Sequence, residues 1–169
     1  LSKISRIMGN GKAAFWQGAA GAVRRKLRHC LWRPDRGACF DRARNGRWVD
    51  VLTHNNLRCM YWGAFSQDMA RRFVSEHLLN PLEFWTPLPL PSVAAGDPLF
   101  VNAPGNDWSG QPQGLTYQRA IRALENYGYQ EILPALARKL FEAVGEDCVF
   151  PQQFDPFTGK RSGEADGYG

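Results

Sequence analysis

Apolar residues recur along the early part of the chain as Phe15/Trp16, Ala19/Ala20, Val23, Leu27 and Cys30/Leu31. Spacing of three to four sets them in one stripe on one helical face, and it predicts a helix over residues 13–31. Pro34-Asp35-Arg36-Gly37 then supplies turn chemistry, and the short segments Ala38 to Arg42 and Trp48 to Leu52 flank Asn45-Gly46, a hairpin signal. Ser66 can cap a second helix that carries Met69, Phe73, Val74 and Leu78 and ends near Asn80-Pro81. Tyr117, Ala120, Ile121, Leu124 and Tyr127 predict a third helix over 114–127, with Gly128 as its stop. Leu133, Leu136, Leu140 and Val144 predict a fourth over 131–144, which tolerates Pro134 in its first turn and stops at Gly145.

Between the second and third helices, residues 80–112 hold seven of the eleven prolines and sustain no period. They are expected to form a long connection, and a loop of that length usually lines a functional surface. The final segment, Pro151 to Gly169, offers no core-forming helix; if the fold ended there, a loop would be left with nothing to pack it. The whole reads as an all-α toroid of helical hairpins with long loops and one small β-hairpin. No internal repeat is strict enough to prove that arrangement.

Composition narrows the class without changing the elements. A hydrophobic share of 44% with 22% charge is that of an ordinary globular domain. Six Trp among 12% aromatics suit a surface that meets ligand, as sugar-binding clefts do. Every apolar run is broken before the roughly 20 residues a bilayer requires, so no membrane span is expected. Leu1-Ser2-Lys3 shows no apolar leader, although a start lost upstream would hide one. Cys30, Cys39, Cys59 and Cys148 lie at irregular spacing with no C-x-x-C pair, which argues against zinc and reads as reduced thiols in a cytoplasmic protein. The net charge of +5 is concentrated in residues 1–50, which hold 12 Lys/Arg against 3 acids. Arg24, Arg25, Lys26 and Arg28 could track phosphates, but a basic, solvated helix face explains them, and no nucleic-acid partner is expected.

Three segments together resemble the trehalase, family 63 glucosidase and mannosylglycerate hydrolase group of glycoside hydrolases. The first runs through Glu76-His77-Leu78-Leu79-Asn80 into Phe84-Trp85-Thr86-Pro87, Leu90-Pro91-Ser92-Val93 and Asp97-Pro98. The second, Asn106-Asp107-Trp108-Ser109-Gly110-Gln111-Pro112-Gln113-Gly114, is similar to the group's Trp-(Arg)-Gly-x-(Val)-Trp loop, with Ser109 where Arg is frequent. The third, Pro151-Gln152-Gln153-Phe154-Asp155-Pro156-Phe157-Thr158-Gly159, is close to Glu-x-Tyr-(Asn/Asp)-Pro-x-Thr-Gly, and Asp166-Gly167-Tyr168-Gly169 resembles the turn into the last inner helix. The resemblance implies a partial (α/α) six-hairpin toroid, residues 1–169 being a single carboxy-terminal fragment of the catalytic domain. It also implies a carbohydrate substrate, no cofactor and no metal. The missing amino-terminal part of the same domain would then carry the earlier hairpins and the general-acid aspartate.

Inverting glycosidases need two carboxyl groups about 6.5–9.5 Å apart, one protonating the leaving oxygen and one activating water. At the position matching the group's base stands Gln152, an amide that takes no proton from water at neutral pH. Glu164, on the same loop, is the substitute in view, and an exposed loop carboxylate is the plainer account of it. Trp85, Trp108 and Tyr168 could stack on sugar C–H faces. Asp107, Gln111 and Gln113 could bind vicinal hydroxyls, although Gln113 could instead cap the third helix. Trp62 and Phe65 are expected in the core. His54 and His77 are expected to be structural, with no acid or Cys at metal-ligand spacing. A degenerate, non-catalytic carbohydrate-binding relative and a basic helical interaction module remain as alternatives.

Overall fold

The computed structural model describes residues 1–103, 110–145 and 152–162. Helices α1 (Ser2–Ile7) and α2 (Ala13–Cys30) come first, followed by β1 (Trp32–Arg33), β2 (Ala38–Cys39), β3 (Asp41–Arg42) and β4 (Trp48–Val49). Then come α3 (Asn55–Tyr61) and α4 (Gln67–Phe73), which continues as a π-helical turn over Val74–Leu78. The 3-10 turn Gln130–Ile132 joins α5 (Gly114–Glu125) to α6 (Leu133–Val144), and β5 (Gln153–Phe154) pairs with β6 (Arg161–Ser162). Helix therefore predominates, with three small antiparallel pairs among the described residues rather than the one hairpin expected. Among the described residues no helix is long and apolar enough to cross a membrane.

Ser66 caps α4 as its sequence position suggests, its Oγ accepting a hydrogen bond from the Met69 amide at 3.2 Å. The α4 helix widens after Phe73, and the Leu79 amide bonds back to the Val74 carbonyl at 3.1 Å, an i→i+5 bond. Gly128 takes φ 83 just past α5, the left-handed conformation that a helix stop favours. The Asn45-Gly46 hairpin forms between β3 and β4 with Arg42 opposite Trp48. Around Pro34 to Gly37 a further hairpin pairs Trp32 with Cys39, so the expected strand from Ala38 is shared between two pairs. Helices α1 and α3 were not foreseen; both span two turns or fewer, too short to declare a 3.6-residue period.

Phe73, Phe84, Phe154, Leu57, Met60 and Leu124 are fully buried and bring together α3, α4, α5, the long connection and the last hairpin. Two expectations about this core change. Residues 80–112 were expected to line a surface, yet Phe84, Thr86, Leu88, Leu90 and Ala94 are buried, so much of the connection is core. It is held by backbone bonds from His54 N to Ser92 O and from Ala94 N to Leu52 O, at 3.1 and 2.9 Å. Residues 152–162 of the terminal segment are packed as well, because Phe154 enters the core and Asp155-Pro156-Phe157-Thr158-Gly159 forms a tight turn between β5 and β6. Asp155 Oδ1 accepts from the Phe157 and Thr158 amides at 2.8 and 2.9 Å, and Gly159 at φ 71 closes the turn.

The α2 stripe has the expected period but not the expected burial: no residue of this helix is buried, and Phe15 and Val23 are 65% and 64% exposed. Only the end near Leu27 and Leu31 packs against the core. Arg28 anchors it there, its guanidinium donating to the Ala64 and Phe65 carbonyls at 2.6 and 2.8 Å. Phe65 is buried at 3% exposure as expected, whereas Trp62 is 71% exposed because it sits past the end of α3 and faces outward beside α2. His77 has a structural place, with an acid facing it on one side and a backbone carbonyl on the other. Its Nδ1 lies 2.7 Å from Glu83 Oε2 and its Nε2 lies 2.6 Å from the Arg36 carbonyl, which ties the π turn to the first hairpin.

Candidate functional site

Three segments far apart in sequence meet at one end of α5. The Ser92 amide donates to the Gly110 carbonyl at 3.0 Å, and Ser92 Oγ donates to the Gln111 carbonyl at 2.9 Å, joining the long connection to the segment before α5. Phe154 N donates to Pro112 O at 3.1 Å, Gly114 N to Gln152 O at 3.4 Å, and Gln113 bridges to Gln153, which adds the last hairpin. Leu88 N donates to Pro156 O at 2.8 Å and closes the ring of segments. Gly110 is required for this approach. It takes φ 87, and a Cβ there would stand 1.8 Å from the Val101 carbonyl oxygen.

The junction is rich in buried amides and hydroxyls. Gln111 is 1% exposed; its Nε2 donates to Asn102 Oδ1 at 2.9 Å, while its buried Oε1 has no hydrogen-bond partner among the described residues. Asn102 passes the chain on, Nδ2 donating to Asp155 Oδ2 at 3.0 Å. Burial opposes ionisation of Asp155, but its bonds from Thr158, Asn102 and Phe157 outweigh it and hold the carboxyl below the usual range. Gln113, Gln152, Gln153 and Ser162 are also buried, and Ser162 Oγ has no hydrogen-bond partner among the described residues. An unpaired buried acceptor is costly in a finished core and is a recurrent mark of a binding or strained site.

Beneath this cluster lies His54. Its Nδ1 is 3.5 Å from Thr116 Oγ1 in the first turn of α5, and its ring bonds to the Leu90 backbone. Burial, reinforced by the Arg58 and Arg119 charges, pushes the imidazole down to about 4, so it stands neutral near pH 7. Leu90 itself is buried at φ 70, a strained backbone for a branched side chain.

Of the residues singled out from sequence, Gln111, Gln113 and Gln152 are drawn into this junction by the contacts above. Gln113 occupies the N-cap position of α5, but its side chain makes no capping bond. Trp85 is half-buried against the core on the connection. Asp107, Trp108, Glu164 and Tyr168 lie outside the described residues. Sequence reasoning missed Ser92, Asn102, Asp155 and Ser162 as members of the polar cluster. The available signal was the run of polar side chains inside segments otherwise destined for the core.

No curated protein matches the chain at a significant level. Among solved structures, GH63 mannosylglycerate hydrolase from Thermus thermophilus, in complex with glucose, is similar with a TM-score of 0.70 and 22% identity over 82% of this chain and 34% of that one. Neutral trehalase from Saccharomyces cerevisiae gives a TM-score of 0.75 and 18% identity over 90% of this chain and 28% of that one. A sialidase gives a TM-score of 0.83 and 14% identity over the whole of this chain and 16% of that one. At such identities the likeness is one of fold, and the chain spans about a third or less of these structures' length. The family match is broader, covering residues 1–169. The chain belongs to the mannosylglycerate hydrolase MGH1-like glycoside hydrolase domain family.

Proposed function

We propose that residues 1–169 are the carboxy-terminal part of an (α/α) six-hairpin toroid in a cytoplasmic glycoside hydrolase that cleaves carbohydrate O-glycosidic bonds by acid and base catalysis. The observation that carries this reading is the convergence of the long connection, the segment before α5 and the last hairpin on one cluster of buried amides. Sugar hydroxyls both donate and accept, so amide-rich walls with an unpaired acceptor at Gln111 suit such a ligand. In this reading Asp107, Gln111 and Gln113 bind hydroxyls, and Gln152 stands at the position of the base. Trp85, Trp108 and Tyr168 offer stacking faces, and the general acid comes from the amino-terminal part of the domain.

Gln152 favours a second reading, a degenerate relative that binds carbohydrate without cleaving it, because an amide cannot serve as base. Pairing Glu164→Gln with Gln152→Glu in the full-length protein separates the two. If Glu164 is the base, Glu164→Gln lowers kcat at least about 100-fold with KM little changed and removes the acidic limb of the pH–rate profile. Near-parent activity with the same acidic limb would exclude Glu164. Activity created by Gln152→Glu in an inert parent would establish the degenerate relative.

A further inference from the structure

Helices α2, α3 and α5 gather cations with almost no acid among them. Arg24, Arg25, Lys26 and Arg28 lie on α2, Arg58 on α3, and Arg119 and Arg122 on α5, while Glu125 is the single acid in the three helices. Arg24 and Arg58 line an apolar groove of about 480 Å³ together with Val23, Leu27 and Trp62. Arg58 and Trp62 also line an adjoining cleft of about 320 Å³ with Tyr61, Gln118 and Arg119, so the two depressions form one continuous surface. Among the described residues none of Arg24, Arg58, Arg119 and Arg122 pairs with a carboxylate. Arg24 donates to the Trp62 carbonyl at 3.3 Å and Arg122 stands over the Tyr61 ring at 5.8 Å, contacts that hold the guanidinium groups in place without neutralising them.

The exposed Val23 and Trp62 side chains gain by leaving water, and the unneutralised guanidinium groups gain from carboxylates. A nucleic acid would satisfy the cations and leave the apolar groove unused, and a bilayer surface is too flat to fill a concave one. A helix whose apolar stripe is flanked by acids satisfies both. We propose that the groove between α2 and Trp62 docks an acidic amphipathic helix of a partner protein, its apolar stripe against Val23, Leu27 and Trp62 and its Asp or Glu side chains against Arg24, Arg58 and Arg119. Docking there is independent of the chemistry of the polar junction, which shares no residue with this surface.

The test titrates this chain with synthetic helices that share one stripe of Leu and Phe and carry either Glu or Lys along its flanks, read by fluorescence anisotropy at about 0.15 M salt. The Glu helix should bind at least about 10-fold more tightly than the Lys helix, the size expected of two or three rim ion pairs, and should weaken as salt is raised. A Glu helix with its stripe changed to Gln should lose binding, because charge alone does not fill the groove. Arg24→Glu with Arg58→Glu, both at exposed positions, should turn the preference toward the Lys helix. Arg44→Glu with Arg47→Glu, an equal change of net charge between β3 and β4, should leave it in place. Equal affinity for the Glu and Lys helices, undiminished binding of the Gln-stripe helix, or a control pair as damaging as the groove pair would overturn the proposal. So would tighter binding to duplex DNA or to phosphatidylserine vesicles, or hydrogen-exchange protection over residues 20–27 that rises with chain concentration alone, which would give the groove to a second copy. If the groove pair does not fold, the unsubstituted chain with the three helices still decides the matter.

Discussion

His54 couples the candidate site to pH through burial. Its folded value of about 4 lies below the unfolded imidazole's, so the unfolded chain takes up the proton first as pH falls. The stability contributed by the neutral ring is complete above about 6.5 and is lost progressively toward 4, roughly 2 kcal/mol having gone by about pH 5. The urea midpoint should therefore fall between pH 7 and pH 5, and His54→Gln should flatten that dependence; an equal slope in the variant would show that another group is responsible. Asp155 acts in a separate and lower window. Its carboxyl is held down, so its contribution is present above the unfolded carboxylate value and is lost only as pH falls through the folded one. Gln152 shows where a single residue departs from a pattern: its place beside Gly114 follows from the backbone, while its amide chemistry comes from the sequence alone.

At the scale of elements, the last hairpin depends on a turn written in five residues. Asp155→Ala removes the acceptors for Phe157, Thr158 and Asn102, and should cost about 1–2 kcal/mol, in line with charge-assisted hydrogen bonds lost at a partly exposed turn. Amide hydrogen exchange at Phe157 and Thr158 should rise sharply in the variant, while exchange within α5 should follow only the global loss. Unchanged protection at the two turn amides would refute that account. Helices with a sustained period were legible in sequence: α2, α4, α5 and α6 stand close to where their stripes put them. Their environments were less so. Periodicity says that Val23 and Leu27 share a face, but not whether a neighbour covers it. The connection over 80–112 reads as loop because prolines forbid a ladder, yet its Phe84, Leu88 and Leu90 are core by virtue of partners at 52–54, 110 and 156. Of the polar junction, Gln111 and Gln113 stand out in sequence as amides and Gln152 only through the resemblance. The hydroxyls and Asn102 join them only through tertiary contact.

At the scale of the molecule, two apolar faces stand open among the described residues. One is the α2 groove with Val23, Leu27 and Trp62; the other is a groove of about 200 Å³ between α5 and α6, lined by Tyr117, Ile121, Leu136, Leu140 and Phe141. Patches of this kind mark surfaces that pack against further protein. The chain on its own should bind a hydrophobic dye such as ANS and self-associate, and Phe141→Glu with Val23→Lys should reduce both. A monomer with a sharp cooperative melt and no dye binding would show instead that these faces are tolerated in water. The burial of Phe154 carries a different consequence, for the order of assembly. This ring fills the same core as Leu57, Phe73 and Phe84, roughly half the chain earlier, and the backbone bonds from residues 88 and 112 also close on the last hairpin. Contacts so distant repay their loop-closure entropy late. A nascent chain leaving the ribosome can coil its helices early, yet its core stays unsealed until the residues around 154 have emerged, so a chain stalled before them exposes Leu57, Phe73 and Phe84 to whatever it meets.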